Sequence, residues 1–126
     1  MKVHPAAVLI LIAAAASLLV LQGIFDRADL EKGERLVREY RIGGPALGNF
    51  IEGQHADRSG PTRWSAEIVS GCRGVVRVSC AVPRPTGDAL YRFDVDLPQK
   101  AIHPGDEPGK NALQALERAS AHRSGP

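Results

Sequence analysis

Between Trp64 and Leu97 the chain alternates apolar and polar residues in three successive runs, a pattern that fits half-buried antiparallel strands. Trp64, Ala66 and Ile68 alternate with Ser65 and Glu67. Val76, Val78, Cys80 and Val82 alternate with Arg77, Ser79 and Ala81, and Tyr91, Phe93, Val95 and Leu97 with Arg92, Asp94 and Asp96. A slip of one residue would turn every apolar side chain outward, so the register follows from requiring one apolar face. With Ser70 through Gly74 as the first turn, Ile68 faces Val76, Ala66 faces Val78 and Trp64 faces Cys80. With Pro83 through Asp88 near the second turn, Cys80 faces Tyr91, Val78 faces Phe93 and Val76 faces Val95. Glu67, Arg77 and Asp94 then share one row on the other face, so apolar and charged positions agree on a single register.

Beyond Pro98 the chain passes Ile102 and a Pro/Gly segment (Pro104, Gly105, Pro108, Gly109) before helical spacing resumes from Ala112 to about Ala121. Asn111 is placed to cap this helix and Gln114 to complete a capping box. Leu113, Leu116 and Ala119, with Ala112 and Ala115 alongside, form an apolar stripe suited to the Tyr91 to Leu97 face. The tail from Ser120 onward is expected to fray.

Ahead of the strands, Pro5 to Phe25 contains no charged side chain over 21 residues. At about 1.5 Å per helical residue this length crosses a hydrocarbon core of roughly 30 Å. Lys2 and the alanines would also suit a cleaved signal peptide. The cleavage sites after the run are poor, however: Leu21, Gly23, Asp26 and Ala28 place a large or charged residue at minus three, so a retained anchor is favoured. Arg27, Lys32, Arg35, Arg38 and Arg41 follow the run, which by the positive-inside rule would keep the body cytoplasmic. Bodies longer than about 60 residues translocate largely regardless of charge, and Met1-Lys2 is an export-type start, so an extracytoplasmic body is expected.

From Asp26 to Arg41, Leu30, Gly33, Val37 and Tyr40 share a stripe, while Glu31 with Arg35 and Glu34 with Arg38 are spaced for ion pairing on the opposite face. Gly43-Gly44-Pro45 ends this helix. The expected fold is therefore α+β: an N-terminal transmembrane helix extended by a juxtamembrane helix, then a three-stranded antiparallel meander packed on one face by a C-terminal helix. Its divisions are residues 1–25 as membrane anchor or uncleaved signal and 26–41 as a juxtamembrane amphipathic helix. Residues 42–63 follow as a Gly/Pro-rich linker with one helical turn docked on the body, and 64–126 as a small α+β domain. Trp64 to Ala121 spans 58 residues, a size at which one core is marginal without added packing.

Chemistry is sparsely marked. His4, His55, His103, His122, Cys72 and Cys80 show no metal-ligand spacing. Ser70-Gly71-Cys72-Arg73-Gly74 places a thiol beside an arginine, which could lower its pKa; a hairpin turn needs the same glycines, and no histidine base is fixed near it. Asp94 and Asp96 lie two apart on one strand face, as the wet side of any half-buried strand would place them. Ala13 and Ser17 are small residues four apart, a weak association cue in an alanine-rich helix. No catalytic, cofactor-binding or metal residue is assigned, and no cofactor. In the chosen register Cys72 and Cys80 are too far apart to form a disulfide.

Sixteen Lys+Arg against 14 Asp+Glu, with Lys2 ahead of the apolar run, leave the body a formal charge of 15 minus 14, or +1. Nucleic-acid binding, which needs a larger basic surplus, is disfavoured. Arginine outnumbers lysine twelve to four, which fits a GC-rich bacterial genome. The expected function is a single-pass, membrane-anchored, non-enzymatic interaction or scaffold module of the bacterial cell envelope. Its body faces the periplasmic side, and its partners are membrane lipid through residues 5–25 and an envelope protein or a second copy. The alternative is a small exported enzyme or redox protein using Cys72.

Overall fold

A computed structural model describes residues 5–69 and 74–123, without the side chains of 20–25, 122 and 123. The elements are α1 (Pro5–Arg38), α2 (Leu47–Gly53), β1 (Arg63–Ile68), β2 (Val75–Val82), β3 (Ala89–Asp96), β4 (Ala101–Pro104) and α3 (Glu107–Arg123). The fold is α+β, with one antiparallel sheet in the order β1-β2-β3-β4. The predicted register is present at every position: Trp64 opposite Cys80, Ala66 opposite Val78, Ile68 opposite Val76, then Cys80 opposite Tyr91, Val78 opposite Phe93 and Val76 opposite Val95.

The expected three-stranded meander needs correction, because a fourth strand, β4, pairs Ile102 with Val95 and His103 with Asp94. It was hidden by its shortness: four residues with a single large apolar side chain, ending in a proline, carry too little alternation to read. Pro104 cannot donate to a ladder, which suits its position in the outer strand. The turn Leu97 to Lys100 that precedes β4 contains Lys100 at φ 53. Leu97 N–H donates to the Gly74 carbonyl at 2.8 Å, tying this turn to the start of β2.

Helix α3 also starts earlier than its apolar stripe implies, and Asn111 is not its cap. Asp106 is: its Oδ1 accepts the Gly109 N–H at 2.8 Å, three residues into the helix. The same oxygen accepts the Arg92 N–H at 3.1 Å, and Gly105 N–H donates to the Arg92 carbonyl at 2.8 Å, so the cap is stitched to β3. Pro108 is tolerated because a first-turn N–H has no helical acceptor. Gly109 is required by proximity, since a methyl group there would overlap the Arg92 carbonyl oxygen. At the other end the helix continues through Arg123 instead of fraying at Ser120, whose buried Oγ donates to the Leu116 carbonyl at 3.0 Å.

The core lies on one face of the sheet. Val76, Val78, Cys80, Val82, Phe93 and Val95 point into it and meet Val37 of α1, Leu47 and Ile51 of α2, and Ala112 and Leu116 of α3. Segment 42–63, read as a linker with one docked turn, thus contributes that turn to the core as α2. The helix expected over 26–41 is continuous with the apolar run as α1 and ends at Arg38. Its Gly33 meets β2 so closely that a Cβ there would stand 2.9 Å from a Val76 methyl. From Pro5 to Leu19, every side chain of α1 is exposed. Among the described residues no helix is long and apolar enough to cross a membrane, so the crossing expected of 5–25 is not shown.

Gly109→Ala is expected to destabilise the body by about 1–3 kcal/mol through overpacking against Arg92. Gly53→Ala, where a Cβ meets nothing within 4 Å, is expected to stay within about 0.5 kcal/mol of the parent. Denaturant melts of the two variants check this, and equal losses would remove the assigned role of Gly109.

Candidate functional site

Tyr91, the third residue of β3, lies on the core-facing side, where the apolar body of its ring is accommodated but its hydroxyl needs a partner. That partner comes from the chain just after α2: His55 Nε2 and Tyr91 Oη are 2.6 Å apart, with the rings edge-to-face at 62° and centroids separated by 5.9 Å. The pair forms one wall of a groove of about 420 Å³ between α2, β3 and α3. Phe50 and Ile51 line it from α2, and Pro108, Ala112 and Ala115 from α3; Gln54 and Asn111 add amide groups. Among the described residues, no carboxylate, lysine or arginine lines the groove. Burial, then the neighbouring Cys80, raises the Tyr91 pKa above its ordinary value, with Arg84 opposing. The phenol therefore stays protonated near neutral pH. Such a lining can hold a neutral, partly apolar group and offer it hydrogen bonds; it has no charged acid–base pair.

A second cleft, of about 490 Å³, lies between α1 and α2 with Trp64 at its side. Its character is the reverse, with Glu31, Glu34, Glu39 and Glu52 set among Arg35, Arg38 and Arg41. Arg38 lies 5.7 Å from the Trp64 ring centroid and also pairs with Glu34 at 3.2 Å. Arg58 pairs with Glu52 at 3.1 Å. Both ion pairs are solvent-exposed in part, so they shape the cleft more than they stabilise it.

The residues singled out from sequence are dispersed. Ser70 through Arg73, and Cys72 with them, lie outside the described residues, as does His4, while the side chain of His122 is not described. His103 is exposed on β4, opposite Asp94. Asp94 and Asp96 each serve a local bond: Arg77 Nε donates to Asp94 at 3.0 Å, and the Gln99 N–H donates to Asp96 at 3.3 Å. The Asp94 carboxylate holds Arg77 above its ordinary pKa, through the hydrogen bond first and through charge second. Among the described residues, no three His, Cys, Asp or Glu side chains are grouped to hold a metal ion. The His55–Tyr91 pair was not foreseen, since 36 residues separate its members. The available cue was the tyrosine itself, a polar tip on an apolar strand face. No protein-family model, curated protein or solved structure matches the chain.

Cys80 is a free, fully buried thiol. Burial first, and Glu52 second, push its pKa from 9.0 up to about 12, with Arg38 opposing. An unfolded chain releases this proton near pH 9, the folded chain only near 12. The unfolded state thus binds fewer protons across that window, and folding stability is expected to fall as pH rises through it. Cys80 is expected to resist a thiol reagent in the native state at pH 8 and to react on unfolding, as thiol counting with and without denaturant will show. Tyr91→Phe, which removes the hydroxyl from His55, is expected to cost about 1 kcal/mol in a denaturant melt at pH 7. A loss near zero would mean that solvent satisfies the pair equally well.

Proposed function

We propose that this chain is a membrane-anchored, non-enzymatic interaction module of the bacterial cell envelope. Residues 5–25 lie in the lipid, and the body stands on the extracytoplasmic side. The observation that carries the reading is the exposure of α1 ahead of the body. Leu9, Ile10, Leu11, Ile12, Leu18 and Leu19 are between 61 and 70 % exposed. Covering six such side chains with an apolar medium is worth on the order of 10 kcal/mol at roughly 2 kcal/mol each, a strong drive for the stem to leave water. The charge-free stretch extends to Phe25, which gives 21 residues for the purpose.

For the body, the near-neutral charge and the two unlike clefts support binding over chemistry. The neutral groove at Tyr91 and the mixed-charge cleft at Trp64 are surfaces on which a protein partner finds hydrogen bonds, apolar contact and charge recognition. A protein of the envelope is the proposed partner, with a second copy of this chain as the other candidate.

The native chain, expressed from its first residue, is expected to sediment with membranes and to stay there through alkaline carbonate extraction. Its intact mass is expected to include residues 1–25. Replacing Leu11 and Leu18 together with lysine is expected to release it. A soluble native species that begins between Gly23 and Asp29 would overturn the anchor. Cross-linking in intact cells that yields only a solitary monomer would overturn the interaction role.

A further inference from the structure

The direction in which α1 passes over the sheet is set at two points. Gly33 abuts Val76, the second residue of β2. Arg38, five residues further along α1, lies over Trp64, which is paired with Cys80 four residues further along β2. Following α1 backwards from Arg38 therefore leads towards the sheet end where β2 begins and β3 turns into β4. Phe25 lies eight residues before Gly33, about 12 Å along the helix. Val95 is level with Val76, and Pro98, three residues on and packed against Gly74, lies at most about 10 Å beyond it along the strand direction. The stem and the β3–β4 turn thus extend the same way and by similar amounts.

This end of the body is suited to a lipid surface. Ile68 is 42 % exposed there, although it belongs to the apolar face of β1. Pro98, Gln99 and Lys100 are exposed in the turn, which is fastened to β2 through Leu97 and Gly74. Among the described residues the nearby charges are of both signs: Glu67 and Asp96 on the sheet and Lys100 in the turn, with Asp26, Arg27, Asp29 and Lys32 on the stem. That mixture matches headgroups that themselves carry both charges, and it gives no reason for an anionic lipid. Lys100 can lay its methylenes along the interface with its ammonium at a phosphate.

We infer that the β3–β4 turn, with Ile68 two strands away at the same end of the sheet, rests on the zwitterionic headgroup layer of the membrane that holds the stem. The inference rests on the anchoring reading above. It leaves the Tyr91 groove and the β2–β3 turn at the opposite end of the sheet, facing away from the lipid.

The test uses the full chain in phosphatidylcholine vesicles containing a headgroup-nitroxide phosphatidylcholine. Trp64, the single tryptophan, supplies the baseline emission. Gln99→Trp adds a reporter in the β3–β4 turn and Thr86→Trp one in the β2–β3 turn. The emission added by Gln99→Trp is expected to be quenched, with none of the emission added by Thr86→Trp lost. Chains that float with the vesicles but leave Gln99→Trp unquenched, or quench Thr86→Trp equally, overturn this inference while the anchor stands. Chains that do not float overturn the anchor and the inference together.

Discussion

A missing side chain at Gly33 lets α1 lie against the centre of the sheet. In a helix, glycine costs about 1 kcal/mol relative to alanine, and here it occupies a place where a Cβ would stand 2.9 Å from Val76. Because the two backbones approach so closely, Val37 reaches the core one turn later, and Leu30 and Leu36 pack at its border. The strands and α3 alone are too few to cover the inward face of β1 and β2. That small core is completed by α1 together with Leu47 and Ile51 of α2. The C-terminal part of α1 thus belongs to the packed body, and the helix runs on unbroken from it back to Pro5.

Several charged residues have wiring tasks. Arg77 bonds Asp94 across two central strands on the solvent side, and Arg63 pairs with Asp88, tying the start of β1 to the β2–β3 turn. Asp106 serves two backbone donors at once, capping α3 and extending the β3 edge past the point where Pro104 can contribute nothing. A carboxylate at a helix start that is also an acceptor for a strand fixes the angle between the two elements.

The parts legible in the sequence are those with a repeating physical signal. The β1–β2 and β2–β3 registers were legible because Val76, Val78 and Cys80 had to share a face while Glu67, Arg77 and Asp94 shared the other. β4 was not, since Ile102 alone cannot establish a period of two. The start of α3 was misplaced because Asp106-Glu107-Pro108-Gly109 resembles a turn; an aspartate followed by an acidic residue and a proline is equally a helix opening. The groove could not be read at all beyond Tyr91's need for a partner. His55, Phe50 and Ala115 are brought together only by tertiary packing, and no local pattern announces a contact between segments so far apart.

The two outer strands of the sheet are not equivalent. β4 is four residues long and ends in Pro104, whereas β1 offers six residues free of proline. A sheet margin recruits further strands in proportion to its length and its row of unpaired backbone groups. Growth of this sheet, whether as a wanted complex or as aggregation, is thus favoured on the β1 side over the β4 side. A second copy that pairs there, β1 against β1, leaves a β4 margin at both ends of the joined sheet, so such an assembly closes at two copies.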